Sequence, residues 1–278
     1  MRTRVRRSGC CVDGSSALVG VPSSARVLAP SSRRPAAWRG HLSSTRRGSP
    51  FASVLFPTVL WVSESEASDR TRRDYDEVAE LYDEMVRRGD ELTDALSAAM
   101  VNAFADLVRA GGSAAAVVDA GCGPGQWTDH LDRVGIQAYG IDLSPAMVAI
   151  ARRYRPDLRY EVGSMLHLGV GDKSIAGILA HFSLIHTPPD LLPRALTEFA
   201  RVVEPGGPLL VGVQVTDNAD ASGWVPYDHR ASPAYLWTLD ALADQLHEHG
   251  FVELGRLRIV APAPDKPAAG YLLTRRIA

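Results

Sequence analysis

Two acids and a run of glycines carry the most chemistry in this sequence. Asp119-Ala120-Gly121-Cys122-Gly123-Pro124-Gly125 follows the apolar pair Val117-Val118, and Asp142 closes a second apolar run, Tyr139-Gly140-Ile141, 21 residues after Gly121. Glycines let a backbone turn sharply and approach a ligand where any Cβ would collide. A carboxylate about 20 residues downstream is placed to accept hydrogen bonds from ribose hydroxyls. In the order strand, turn, helix, strand, these pieces point to a nucleoside site. Asp119, at the strand end, can brace the loop or face a cationic ligand group.

The same residues narrow the nucleoside. A dinucleotide fingerprint asks for Gly-x-Gly-x-x-Gly, and its third glycine is Gln126 here. A Walker loop ends in Gly-Lys-Ser/Thr, yet Lys173 and Lys266 are the chain's only lysines. Few basic residues near the loop disfavour a pyrophosphate. A sulfonium nucleoside, positively charged and free of phosphate, tolerates both Asp119 and Asp142. An NAD(P)-dependent oxidoreductase stays as the rival reading.

The elements that must position these residues follow from periodicity. Strand-length apolar runs at 115–120, 137–142, 158–162, 176–183 and 208–214 alternate with helical stretches at 126–133, 145–154, 191–203 and 239–249. That alternation predicts a parallel sheet covered on both faces. The runs 251–260 and 270–275 have no helix between them, which predicts an antiparallel pair at the edge. Upstream, 66–94 is acidic with Val78, Leu81, Tyr82 and Met85 at helical steps, and a second helix over 92–109 ends at Gly111-Gly112.

The chain has 278 residues, 46% hydrophobic and 22% charged, with a net charge of −2. That profile excludes collagen, a coiled-coil rod and a wholly disordered chain. The charge is uneven: residues 1–60 hold ten Arg against the single acid Asp13, leaving −11 for the remainder. The Arg/Ser-rich leader, 1–65, reads as a disordered, spurious or targeting segment, with 66–278 as the working domain. No spaced aromatics interleave its arginines, so no nucleic-acid partner is expected. Cys10, Cys11 and Cys122 form no disulfide or metal pattern, which suits a reducing, cytoplasmic setting. The longest apolar run, 51–62, is too short and too interrupted to span a bilayer.

Val117–Gly125 resembles motif I of class I S-adenosylmethionine-dependent methyltransferases, and Arg201-Val202-Val203-Glu204-Pro205-Gly206-Gly207-Pro208-Leu209-Leu210 is similar to their turn before strand five. Tyr75-Asp76-Glu77-Val78-Ala79-Glu80-Leu81-Tyr82 is similar to the helix that closes over the cofactor in small-molecule members. The resemblance covers about 74–275. It implies a Rossmann-like doubly wound α/β fold with seven strands in the order 3-2-1-4-5-7-6, strand seven antiparallel, and helices on both faces. It also implies S-adenosyl-L-methionine as cofactor and methyl transfer to a small-molecule acceptor, with O, N or C open. An inactive S-adenosylmethionine-binding protein is the non-enzymatic alternative.

Residue by residue, the resemblance implies the backbone of Gly121, Cys122 and Gly123 under the methionine part, Gly125 as a further cofactor-binding residue, and Asp119 near the ammonium. It implies Asp142 on the ribose, and Leu143 and Met147 against the adenine. Where the family often has Gly-Asp, this chain has Gly163-Ser164-Met165, so Ser164 and Met165 are the expected adenine contacts. Tyr75 and Tyr82 read as lid residues and His181 as a pocket wall. His186, before Pro188-Pro189, is the candidate general base, since imidazole can take a proton near neutral pH. Cys122 reads as a loop filler, and His167, His247 and His249 as surface groups. The aromatic stretch 215–237, with Trp224, Tyr227, Asp228, His229, Tyr235 and Trp237, is a candidate acceptor wall.

Overall fold

A computed structural model describes residues 63–88, 95–261, 263 and 266–277. Residues 1–62 of the expected leader, with Cys10 and Cys11, and the start of the second expected helix lie outside these residues, while Glu64 and Ser65 of that leader already belong to the first helix.

The order is α1 (Glu64–Arg88), α2 (Ala95–Gly111), β1 (Val117–Ala120), α3 (Gln126–Arg133), β2 (Ala138–Asp142), α4 (Pro145–Tyr154), β3 (Tyr160–Val162) and β4 (Gly177–His181). A 3-10 turn (Leu184–His186) leads to α5 (Leu192–Val202), β5 (Pro208–Val215), β6 (Trp224–Tyr227), β7 (Ala234–Trp237), α6 (Leu239–Glu248), β8 (Phe251–Ile259) and β9 (Ala268–Arg276).

Strands β3-β2-β1-β4-β5 are parallel neighbours, and β9 lies antiparallel on β5 from Pro208↔Arg275 to Val215↔Ala268. Strand β8 completes the far edge against β9. The seven-strand order 3-2-1-4-5-7-6 is thus present, with β9 as the antiparallel strand seven and β8 as strand six.

Alternation along the buried strands sends successive side chains to opposite faces. Val117, Leu179 and Leu210 pack with Phe104 of α2 and Leu131 of α3. Their neighbours Val118, Ile178 and Leu209 pack with Phe199 of α5 and Leu246 of α6. Covered on both sides, β1 and β4 are buried at every residue, as central parallel strands are. After buried Phe251, edge strand β8 alternates exposed and half-buried positions and carries Glu253, Arg256 and Arg258, which discourage further pairing.

The hairpin β6–β7 was not foreseen as strands. It joins the sheet at the end of β5, through Val215↔Trp237 and the Thr216 N–H donating to the Trp237 carbonyl at 3.0 Å. Pro226 inside β6 and the Ser, Asp and Gly residues before it hide the period-two pattern. No helix among the described residues is long and apolar enough to cross a membrane.

Candidate active site

The strand order reverses between β1 and β4, and open α/β sheets take ligands at the carboxyl ends of the strands there. A cleft enclosing about 540 Å³ of empty space, continuous with open solvent, lies at that place.

Its floor is the glycine loop. Gly121 has φ of 76°, which a side chain rarely tolerates, and a Cβ there would collide with Ser183 Cβ. The Gly121 N–H donates to the Ile141 carbonyl at 2.7 Å, tying the loop to β2. Asp142, at the end of β2, accepts the Gly123 N–H on Oδ2 and the Ser144 N–H on Oδ1, both at 2.8 Å. Burial raises its carboxyl above the usual range and the two N–H bonds oppose the shift. Each oxygen keeps lone-pair capacity for a ligand hydroxyl. Ser183 Oγ, beside Gly121 on the cleft wall, is buried without a hydrogen-bond partner among the described residues.

Helix α1 roofs the cleft with Thr71, Tyr75 and Tyr82. Asp76 holds it down: Oδ1 accepts Ser144 Oγ–H at 2.6 Å and the Ala146 N–H at 3.2 Å. Ser144 in turn caps α4 by accepting the Met147 N–H at 3.1 Å, with Pro145 opening the helix. Ala79 of α1 packs with Met147 and Ile150 of α4 beneath the two tyrosines.

The far wall follows β4. His186 is buried, with Nε2 2.7 Å from Tyr75 Oη and Nδ1 2.9 Å from the Pro233 carbonyl. Burial lowers its pKa to about 4, with the His229 ring adding to the fall and the Pro233 bond opposing it. His229 lies edge-on to His186 at 5.1 Å, so the loop between β6 and β7 reaches the site through His229 and Pro233. The other aromatics of 215–237 divide differently. Trp237 is buried in the core, while Trp224 and Tyr235 stack edge-to-face at 5.5 Å against it. Phe182 holds φ of 54°, a strained value for a bulky residue, and turns onto the cleft wall. Sequence reasoning did not single out Thr71. Ser144-Pro145, by contrast, carries the signature of a capped helix start.

Among the expected site residues, Tyr75, Gly121, Gly123, Asp142, Leu143, Met147, Met165, His181 and His186 line this cleft. Four others are not brought to its wall. Asp119 is 1% exposed behind the loop, where Oδ2 accepts Thr128 Oγ1–H at 2.7 Å and burial raises its pKa to about 7. Cys122 turns away to pack with Val148, Ala151 and Tyr160, and burial pushes its thiol well up. Gly125 opens α3, where a Cβ would meet Tyr160 Oη at 2.8 Å. Ser164 spends its hydroxyl on the Leu166 N–H at 3.1 Å, within its own turn. His181 lines the cleft and leans on the core, with Nε2 3.0 Å from Tyr271 Oη, which donates to Ser97 Oγ at 2.7 Å. His167 and His247 are exposed.

Comparison with known proteins places this geometry among relatives. Residues 117–207 match the family model described as a methyltransferase domain. A demethylmenaquinone methyltransferase of Beutenbergia cavernae is 31% identical over 159 residues, 56% of this chain and 63% of the relative. A malonyl-[acyl-carrier protein] O-methyltransferase of Pectobacterium atrosepticum is 33% identical over 114 residues, 37% of this chain and 44% of the relative. The match therefore spans less than two thirds of these relatives' length. In fold, the chain is similar to the Burkholderia thailandensis 1,6-didemethyltoxoflavin-N1-methyltransferase, crystallised with 1,6-didemethyltoxoflavin and S-adenosylhomocysteine. The TM-score is 0.61 at 23% identity, covering 78% of this chain and 92% of that one.

Proposed function

We propose that the chain is a class I S-adenosylmethionine-dependent methyltransferase and that it transfers a methyl group from S-adenosylmethionine to a small-molecule acceptor in this cleft. The observation that carries the reading is the junction of Gly123 N–H with Asp142 at 2.8 Å, where a loop without side chains meets a carboxylate able to take ribose hydroxyls. The residues present fit the cofactor. Gly123 leaves room for close backbone approach, with Tyr82 Cε1 at 3.9 Å the nearest described atom to its Cβ position, Ser183 Oγ offers an unused polar atom, and Met147 and Leu143 supply an apolar wall for a base.

When bound, the sulfonium supplies an already activated methyl, so the protein's work is alignment and exclusion of water. Gly121 and Gly123 would support the methionine part, Asp142 the ribose, and Leu143, Met147 and Met165 the adenine. Asp119 braces the loop from behind through Thr128. Helix α1 shields the site from above, and the β6–β7 loop contributes the acceptor side through His229. The relatives' printed names differ in acceptor, so the acceptor of this chain is proposed from its own site. A buried, unpaired Cys122 accords with a reducing setting such as the cytoplasm.

Incubating the chain with methyl-labelled S-adenosylmethionine and a metabolite extract should give a labelled product one methylene heavier than its precursor. Binding of the cofactor without any labelled product would favour the inactive binder. Binding of NAD in its place would favour the oxidoreductase.

A further inference from the structure

Tyr75, His186 and the Pro233 carbonyl form a chain of hydrogen bonds from the cleft into the protein, and its direction can be fixed. The Pro233 oxygen only accepts, so Nδ1 of His186 carries the hydrogen of that 2.9 Å bond. In the neutral ring Nε2 is then a bare lone pair, and Tyr75 Oη, 2.7 Å away, must donate to it. Having given its one hydrogen to His186, the Tyr75 hydroxyl can only accept from whatever occupies the cleft it lines. His186 lines the cleft as well, but both its nitrogens are engaged, so a proton from the cleft reaches it through Tyr75.

We propose that Tyr75 is the catalytic residue that accepts the acceptor's proton, that His186 is the positioning residue and proton sink behind it, and that the acceptor is a neutral hydroxyl. This rests on the methyl-transfer reading above. The acceptor oxygen forms a bond to the methyl carbon while the carbon–sulfur bond breaks, its electron pair passing to sulfur. The acceptor's proton moves to Tyr75 Oη as the Tyr75 proton moves to His186 Nε2, giving an imidazolium held by the Pro233 carbonyl. A proton then leaves to solvent and restores the pair.

The choice of oxygen follows from the strength of the base. Burial and the His229 ring keep His186 weakly basic, and the bare lone pair at Nε2 is kept through the neutral range. An amine that gains a methyl becomes an ammonium, which such a base could not deprotonate and which needs no base during transfer. An alkylating hydroxyl becomes a strong acid, so even a weak base receives its proton late in the transition state. The aromatic surroundings, Tyr82, Phe182 and His229, suit a phenol-like or otherwise apolar hydroxyl compound better than a polyanion.

Three measurements test this. Nitrogen-15 NMR of the free protein between pH 6 and 8 should show His186 protonated on Nδ1 and bare on Nε2, the less usual neutral tautomer, and an Nε2–H tautomer overturns the relay. Methyl-labelled S-adenosylmethionine is then offered with a panel of phenols and alcohols, anilines and alkylamines, and 1,3-diketones. Product is expected from hydroxyl probes, with kcat falling about a hundredfold or more in both Tyr75→Phe and His186→Gln. Cofactor affinity by calorimetry should hold in His186→Gln. Labelling only of amines or carbon acids, or no labelling of any hydroxyl by protein that binds the cofactor, overturns the proposal. So does a Tyr75→Phe variant that loses cofactor affinity while keeping kcat, because Tyr75 would then serve the cofactor. Failure to bind S-adenosylmethionine at all defeats the underlying function reading instead.

Discussion

At the scale of single residues, burial decides what each ionisable group can do. Among the described residues Asp119 has no cation in an ion pair with it; the Thr128 hydroxyl and backbone N–H face it instead, and desolvation outweighs them to raise its pKa to about 7. A carboxyl whose folded pKa exceeds its unfolded one binds a proton more readily when folded. Its contribution to stability is therefore fullest at acid pH and is lost as pH rises through about 7. Asp119→Asn keeps an acceptor for Thr128 and removes the buried charge, so it should stabilise the free protein at pH 8 on the order of 1–3 kcal/mol. Urea denaturation should show that gain shrinking toward pH 5, and equal stability of the two proteins at pH 8 would contradict it. His186 works in the opposite sense. Its pKa falls to about 4, so the unfolded chain takes up the proton first and stability declines as pH drops from the ordinary histidine range toward 4.

At the scale of elements, the roof and the floor are joined by Asp76. Its Oδ1 serves both the Ser144 hydroxyl and the Ala146 N–H, and Ser144 N–H also serves Asp142. Asp76→Ala should cost about 1–2 kcal/mol of stability through the disturbed cap of α4, and should weaken cofactor binding by freeing α1. Denaturation and calorimetry on the same variant read both, and a loss of neither would detach α1 from the site.

Most elements were legible in the sequence because their signals are local. Gln126–Arg133 and Pro145–Tyr154 form helices over the expected residues, since glycine turns and Ser144-Pro145 punctuate them. The glycine loop and Asp142 were legible for the same reason, as spacing along one β-α-β unit. What escaped is set by contacts distant in sequence. Hairpin β6–β7 gains its pairing only where β5 ends, and Phe182 adopts its turn because β4, β5 and Tyr271 surround it. The bond of Tyr75 to His186 spans 111 residues, and neither residue's neighbourhood announces it. Asp119 was legible as a special acid but not its direction, because its Thr128 partner comes from the next helix.

At the scale of the whole molecule, the account needs only the described domain. We expect the basic leader to be dispensable: removing residues 1–61 should leave the melting temperature and cofactor affinity of the remainder unchanged, and a large drop in either would assign the leader a structural part. The central claim is that the side-chain-free loop after β1 and the acid ending β2 together hold S-adenosylmethionine. Equilibrium binding of labelled S-adenosylmethionine to the wild-type protein and to Asp142→Ala, with NAD as competitor, tests it most directly. The account predicts saturable binding that NAD does not displace, weakened by about 2–4 kcal/mol when the carboxylate is removed from a folded protein. Undiminished affinity in folded Asp142→Ala, or displacement by NAD, would contradict it.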